Sequence, residues 1–114
     1  MSKTPCATTD DLVFSSTEKE IDDEKNLALL SKALAHPARI RILRILLKLD
    51  KLGGCLNSDF VTDLGLAQST VSEHLRILKN ANFISAEPMP PKVCYRINKE
   101  TIDTYQSLFS NILN

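Results

Sequence analysis

Residues 66–83 read LAQSTVSEHLRILKNANF, and the alternation of polar and apolar residues in this stretch decides the fold. Val71, Leu75 and Leu78 recur at i, i+4 and i+7, the spacing that lines one side of an α-helix. The opposite side holds Ser69, Ser72, Glu73 and Arg76, with Gln68 and Thr70 at the N-terminal end. Directly upstream, NSDFVTDLG (57–65) reads as a short helix, capped by Asn57 or Ser58 and ended by Gly65. Two helices joined by a tight turn around Gly65-Leu66 form a helix-turn-helix, whose second helix can lie in a DNA major groove. Short hydrogen-bonding side chains plus an arginine are the chemistry that base edges and phosphates require. The free N–H groups at the helix N-terminus add a place for a phosphate.

Outward from this segment, the chain supplies the partners such a motif needs. Thr17 followed by Glu20 fits a capping box that opens a helix with Leu27, Leu30 and Leu34 on one side. Pro37 ends that helix and suits the first turn of the next. The second helix, PARIRILRILLKLDK (37–51), gathers Ile42, Leu43, Leu46 and Leu47 and is broken by Gly53-Gly54. Downstream of the motif the period changes. From Ile84 to Asn98 the residues Val93, Tyr95 and Ile97 alternate with Cys94, Arg96 and Asn98, as in a half-buried strand. EPMPPK (87–92) supplies a hairpin tip, where its prolines cost no central ladder bond. A last helix from about Lys99 places Ile102, Tyr105, Leu108, Phe109 and Ile112 on one stripe.

The expected architecture is mainly α with a small β-hairpin wing: a winged helix-turn-helix of five helices. With 114 residues there is room for one domain, since domains take roughly 100–200 residues. We expect a flexible N-terminal arm over 1–16 and the winged domain over 17–114. No apolar run approaches the ~20 residues that span a bilayer, and the N-terminus lacks a signal-peptide apolar region, so the expected location is the cytoplasm. Net charge is zero, yet it is unevenly spread. Residues 1–24 carry seven acids and two bases, and residues 25–114 carry seven acids and twelve bases. An acidic start therefore precedes a basic body suited to an anionic partner.

The segments LAHPARIRILRIL, LAQSTVSEHLRILKNANFI and KVCYRIN closely resemble the ArsR-type (ArsR/SmtB) family of winged-helix transcriptional regulators, over about residues 25–113. The resemblance implies a homodimer built largely by the terminal helices and a repressor that binds a palindromic double-stranded DNA operator until an inducer releases it. Carried over by position, the DNA-reading residues are Gln68, Ser69, Thr70, Ser72 and His74, with Arg76 on phosphate or base; His74, at the edge of the apolar stripe, fits packing at the core boundary as well as a DNA contact. Lys92 and Arg96 of the wing would meet phosphate. Two departures stand out. Ala67 occupies a position where the family often has a serine helix cap, a loss of roughly 0.5–2 kcal/mol. Glu73 puts a negative charge where a basic or neutral residue is common; it either reads a cytosine amino group or is tolerated beside Arg76.

Family members sense metals and metalloids through cysteine and histidine clusters. Beyond Glu100 in its first turn, the last helix offers only Asp103 and no histidine toward a terminal-helix zinc site, and Cys55 is followed at two residues by Asn57 rather than by a second thiol. No metal site is therefore assigned. In a reducing cytosol Cys6, Cys55 and Cys94 would be thiols. In a winged helix the segment before the short helix commonly pairs with a wing strand, which would bring Cys55 near Cys94, with Cys6 on the arm. Arsenite or antimonite, an oxidant, and plain burial of small side chains all remain open for them. Cys94 alternates with apolar residues and should face away from their side, and Cys55 must share that face for the two to meet. An enzyme is not expected, because neither a nucleophile–base set nor a glycine-rich phosphate loop is present. The rival readings are a winged helix used for protein–protein assembly and a DNA-compacting protein with little sequence preference.

Overall fold

The computed structural model describes residues 11–57 and 63–114. The elements run α1 (Glu18–Ala33), α2 (Pro37–Lys51), β1 (Leu56–Asn57), α3 (Gln68–Asn80), β2 (Ile84–Met89), β3 (Lys92–Ile97) and α4 (Lys99–Leu113), with a 3₁₀ turn at Asp11–Val13 before them. Among the described residues there are four α-helices where the sequence reading has five. The short helix read over 57–65 falls mostly on residues 58–62, which lie outside the described residues, as do residues 1–10 of the expected arm.

Local chemistry explains most of the boundaries. The Thr17 hydroxyl accepts from the Glu20 N–H while the Glu20 carboxylate accepts from the Thr17 N–H, which closes the capping box and starts α1. His36 caps α2 through its Nδ1, which accepts from the Ala38 N–H at 3.0 Å, and Pro37 takes the first helical position. At the other end of α3, Asn82 turns left-handed at φ 64°. The Asn82 N–H then donates to the Lys79 carbonyl and the Phe83 N–H to the Leu78 carbonyl, both at 3.0 Å, the two bonds of a Schellman ending. This ending drives Phe83 into the core, where it is 0% exposed.

The sheet has the order β1-β3-β2 and is antiparallel throughout. In the hairpin Ile84 faces Ile97 and Met89 faces Lys92, leaving Pro90-Pro91 at the tip. Pro88 lies on the outer strand β2, where a missing N–H costs no ladder bond. Ile42 and Leu46 of α2, Val71, Leu75 and Leu78 of α3, Leu56, Phe83, Ile84 and Ile97 form one continuous core. All three stripe residues of α3 are thus spent inward. β3 departs from simple alternation: Cys94 and Ile97 are buried while Val93 and Tyr95 are half-buried. As the central strand, β3 has neighbours on both edges, so a side chain on the face away from the core can be covered by theirs. In the last helix Leu108 is only 9% exposed within the single chain, whereas Phe109 is 51% exposed. Leu108 therefore belongs to this chain's own packing and Phe109 to its surface.

Candidate nucleic-acid interface

The residues just before α3 set its start. Gly65 adopts φ +72°, a left-handed conformation that glycine takes without a Cβ penalty. Arg41 of α2 donates to the Leu64 carbonyl at 3.4 Å, tying the turn to the body. Ala67 stands at the N-cap and makes no side-chain cap bond. Among the described residues no side chain caps the first N–H groups of α3, which lie at the positive end of the helix dipole.

Gln68, Ser69, Thr70, Ser72, Glu73 and Arg76 are all exposed on α3. Arg76 does not stand alone: its Nε donates to Glu73 Oε2 at 3.0 Å and its Nη2 to Glu73 Oε1 at 2.5 Å. The paired guanidinium holds the Glu73 carboxyl below its usual range, and the carboxylate raises Arg76 in turn. The charge of Arg76 is thus balanced by its own helix in the free protein.

Of the two places that the sequence allows His74, the structure takes the buried one. His74 is 6% exposed and faces inward with Val71 and Leu75, because position i+3 from Val71 lies on the buried stripe. Its ring packs against His36 with centroids 4.4 Å apart. Arg39 donates through Nη1 to His74 Nδ1 at 3.1 Å and through Nε to the Ala33 carbonyl at 2.7 Å. A guanidinium can only donate, so the neutral ring carries its proton on Nε2, and that atom is buried without a hydrogen-bond partner among the described residues. Burial, followed by the neighbouring His36 and Arg39, lowers the His74 pKa. This cluster joins α1, α2 and α3, so His74 helps seat the helix rather than present a group on its outer side. Sequence reasoning missed the cluster, although the i+3 spacing of His74 from Val71 carried the signal.

The wing residues lie elsewhere on the hairpin. Lys92 is exposed at the tip end of β3. Arg96 donates to the Gly54 carbonyl at 3.3 Å and approaches Glu87 at 3.5 Å. Cys55 and Cys94 are joined in a disulfide, with Cα atoms 5.7 Å apart. Cys6 lies outside the described residues. Among the described residues there is no group of three or more metal-ligating side chains, and no helix long and apolar enough to cross a membrane.

Among the described residues, a helix entered through the Gly65 turn and followed by an antiparallel hairpin is the arrangement of a winged helix. Residues 36–86 match the family model of the bacterial regulatory proteins of the arsR family, so the resemblance drawn from the sequence holds. Over 55 residues the chain is 46% identical to the uncharacterized HTH-type transcriptional regulator Rv0081 of Mycobacterium tuberculosis, covering 48% of this chain and 46% of that one. Over 63 residues it is 41% identical to the HTH-type transcriptional regulator CmtR of the same organism, covering 55% of this chain and 50% of CmtR. The matches thus span about half the length of these relatives. The fold is shared with the solution structure of the homodimeric winged helix-turn-helix DNA-binding domain of Mb0332 from Mycobacterium bovis, at a TM-score of 0.63 and 22% identity over 82% of this chain and 84% of that one. What the chain matches are transcriptional regulators rather than enzymes.

Proposed function

We propose that the protein is a cytoplasmic, sequence-specific DNA-binding repressor that holds a palindromic operator as a homodimer. The observation that carries the reading is the division of α3. Its whole apolar stripe, with His74, is buried, which leaves Gln68, Ser69, Thr70, Ser72 and Arg76 as an outward polar edge whose N-cap residue, Ala67, offers no side-chain cap. Ser69 and Ser72 read base edges, Gln68 and Thr70 flank them, and Arg76 meets phosphate once it leaves Glu73. Lys92 and Arg96 bring the wing to the backbone beside the groove. Dimerisation runs through the terminal helices α1 and α4, where Phe109 and Leu113 remain exposed; the Mb0332 domain of the same fold is homodimeric. Release by a thiol-reactive inducer falls to Cys55 and Cys94.

The test is binding to a duplex taken from immediately upstream of its own gene, against a random duplex of equal length. Preferential binding by the wild type, weakened in Ser72→Ala with the fold intact, supports base reading by α3. Equal affinity for both duplexes, falling steeply with salt, would identify a DNA-compacting protein. Binding to neither would leave the winged helix as a protein–protein module.

A further inference from the structure

The face of the wing sheet turned away from the core carries a pair of cysteines that DNA reading does not use. β1 pairs with β3 so that Leu56 lies opposite Tyr95 and Asn57 opposite Cys94. Cys55, one residue before this ladder, falls diagonally from Cys94 on the same face. Their Cα separation of 5.7 Å sits inside the range of about 4.4–6.8 Å that a disulfide bridges without moving the backbone. Across the other edge of β3, Glu87 lies opposite Cys94. Arg96 shares the face, with one end of its guanidinium on the Gly54 carbonyl and the other near Glu87. This cover leaves Cys94 5% exposed on the outer face, while Cys55 is half-buried.

We propose that Cys55 and Cys94 form a reversible oxidation site, closed by a hydroperoxide, and that closure weakens DNA binding; the second half rests on the DNA-binding reading above. The more accessible Cys55 reacts first. The thiolate attacks a peroxide oxygen, the O–O bond breaks, and the alcohol leaves with the thiol's proton, giving a sulfenic acid on Cys55. Cys94 sulfur then attacks the Cys55 sulfur; the S–O bond breaks, the S–S bond forms, and water leaves with the second proton. The protein loses two electrons and two protons, and the hydroperoxide becomes alcohol and water. Two molecules of a small monothiol reverse the step by exchange and leave as their own disulfide.

The bond acts on the DNA-binding surface through β1. This strand is two residues long and leads toward the turn at Gly65 and α3, so without the bond its hold on the wing is a short ladder. The disulfide fixes that segment to the central wing strand. Arg96, engaged by Gly54 and Glu87 over the bridge, is kept from the DNA backbone.

The site is tested on the full chain carrying Cys6→Ser. Hydrogen peroxide, alkylation of remaining thiols and peptide mass mapping should show a 55–94 cross-link that millimolar glutathione reverses. No cross-link, or one that glutathione leaves intact, would overturn the site. Reduced and oxidised protein are then titrated onto the upstream duplex. Oxidation should weaken binding roughly tenfold, within the usual span of coupling between two sites, with no oxidant effect in Cys55→Ser or Cys94→Ala. Equal affinity in the two redox states would overturn the regulation without needing any variant to fold. Release by arsenite but not by peroxide would overturn oxidation in favour of soft-ion capture. If neither state distinguishes the upstream duplex from random DNA, the DNA-reading proposal fails, while the cross-linking result still decides the site.

Discussion

Replacing Glu73 with glutamine removes the one negative charge on the exposed edge of α3 and leaves its shape nearly unchanged. In the free protein Glu73 engages Arg76 through two hydrogen bonds, so the pair presents no net charge to DNA. Both side chains are more than half exposed, at 55% and 58%, and an exposed ion pair adds little to stability. The melting temperature of Glu73→Gln should therefore match that of the wild type. DNA binding should change more. A freed Arg76 displaces one further counterion from the duplex, which steepens the dependence of log K on log salt by about 0.9. Across a fourfold rise in salt, from about 50 to about 200 mM, one such contact is worth about 3.5-fold in affinity. Glu73→Gln should thus bind more tightly at low salt, and its advantage should shrink by about that factor over the range. Fluorescence anisotropy on the upstream duplex at several salt concentrations measures both quantities. Equal slopes for the two proteins would refute the argument that Glu73 masks a phosphate-binding arginine. Weaker binding by a folded Glu73→Gln would show instead that the carboxylate accepts from a base amino group.

Three further outcomes follow from the packing. His74 has its pKa lowered chiefly by burial, so the fold favours the neutral ring while the unfolded chain takes up a proton near the ordinary value of about 6.5. Its contribution to stability is complete above about pH 6.5 and is lost as pH falls through the depressed folded value; melting curves from about pH 7.5 to about pH 5.5 should show a loss in the wild type that is smaller in His74→Leu. Phe109→Asp should give a folded monomer by sedimentation and circular dichroism, and an intact dimer would exclude the exposed α4 face as the interface. Leu78→Ala, at a fully buried position, should lower unfolding free energy by about 2–5 kcal/mol in denaturant titrations, and a change below about 1 kcal/mol would show that the α3–core contact is loose.

The helices and the hairpin were legible because each rests on neighbours in sequence. The capping box at Thr17, the breaks at Pro37 and Gly53, the 71/75/78 stripe and the switch to strand after Ile84 are all short-range signals, and the structure uses each of them, with Cys94 breaking the alternation on β3. The exposed polar edge of α3 followed from the same stripe by subtraction. What sequence left open was decided by contacts between distant segments. His74 could be placed on either side of its helix until His36 and Arg39, from the start of α2, closed over it. Leu108 and Phe109 are adjacent apolar residues on one stripe, and only the packing of α1 against α4 separates a core position from a surface one. Cys94 sits on the polar phase of its strand, and it is buried because β1 and β2 flank it and Cys55 is bonded to it. Local periodicity determines which way a side chain points from its own helix or strand; tertiary packing decides what meets it there.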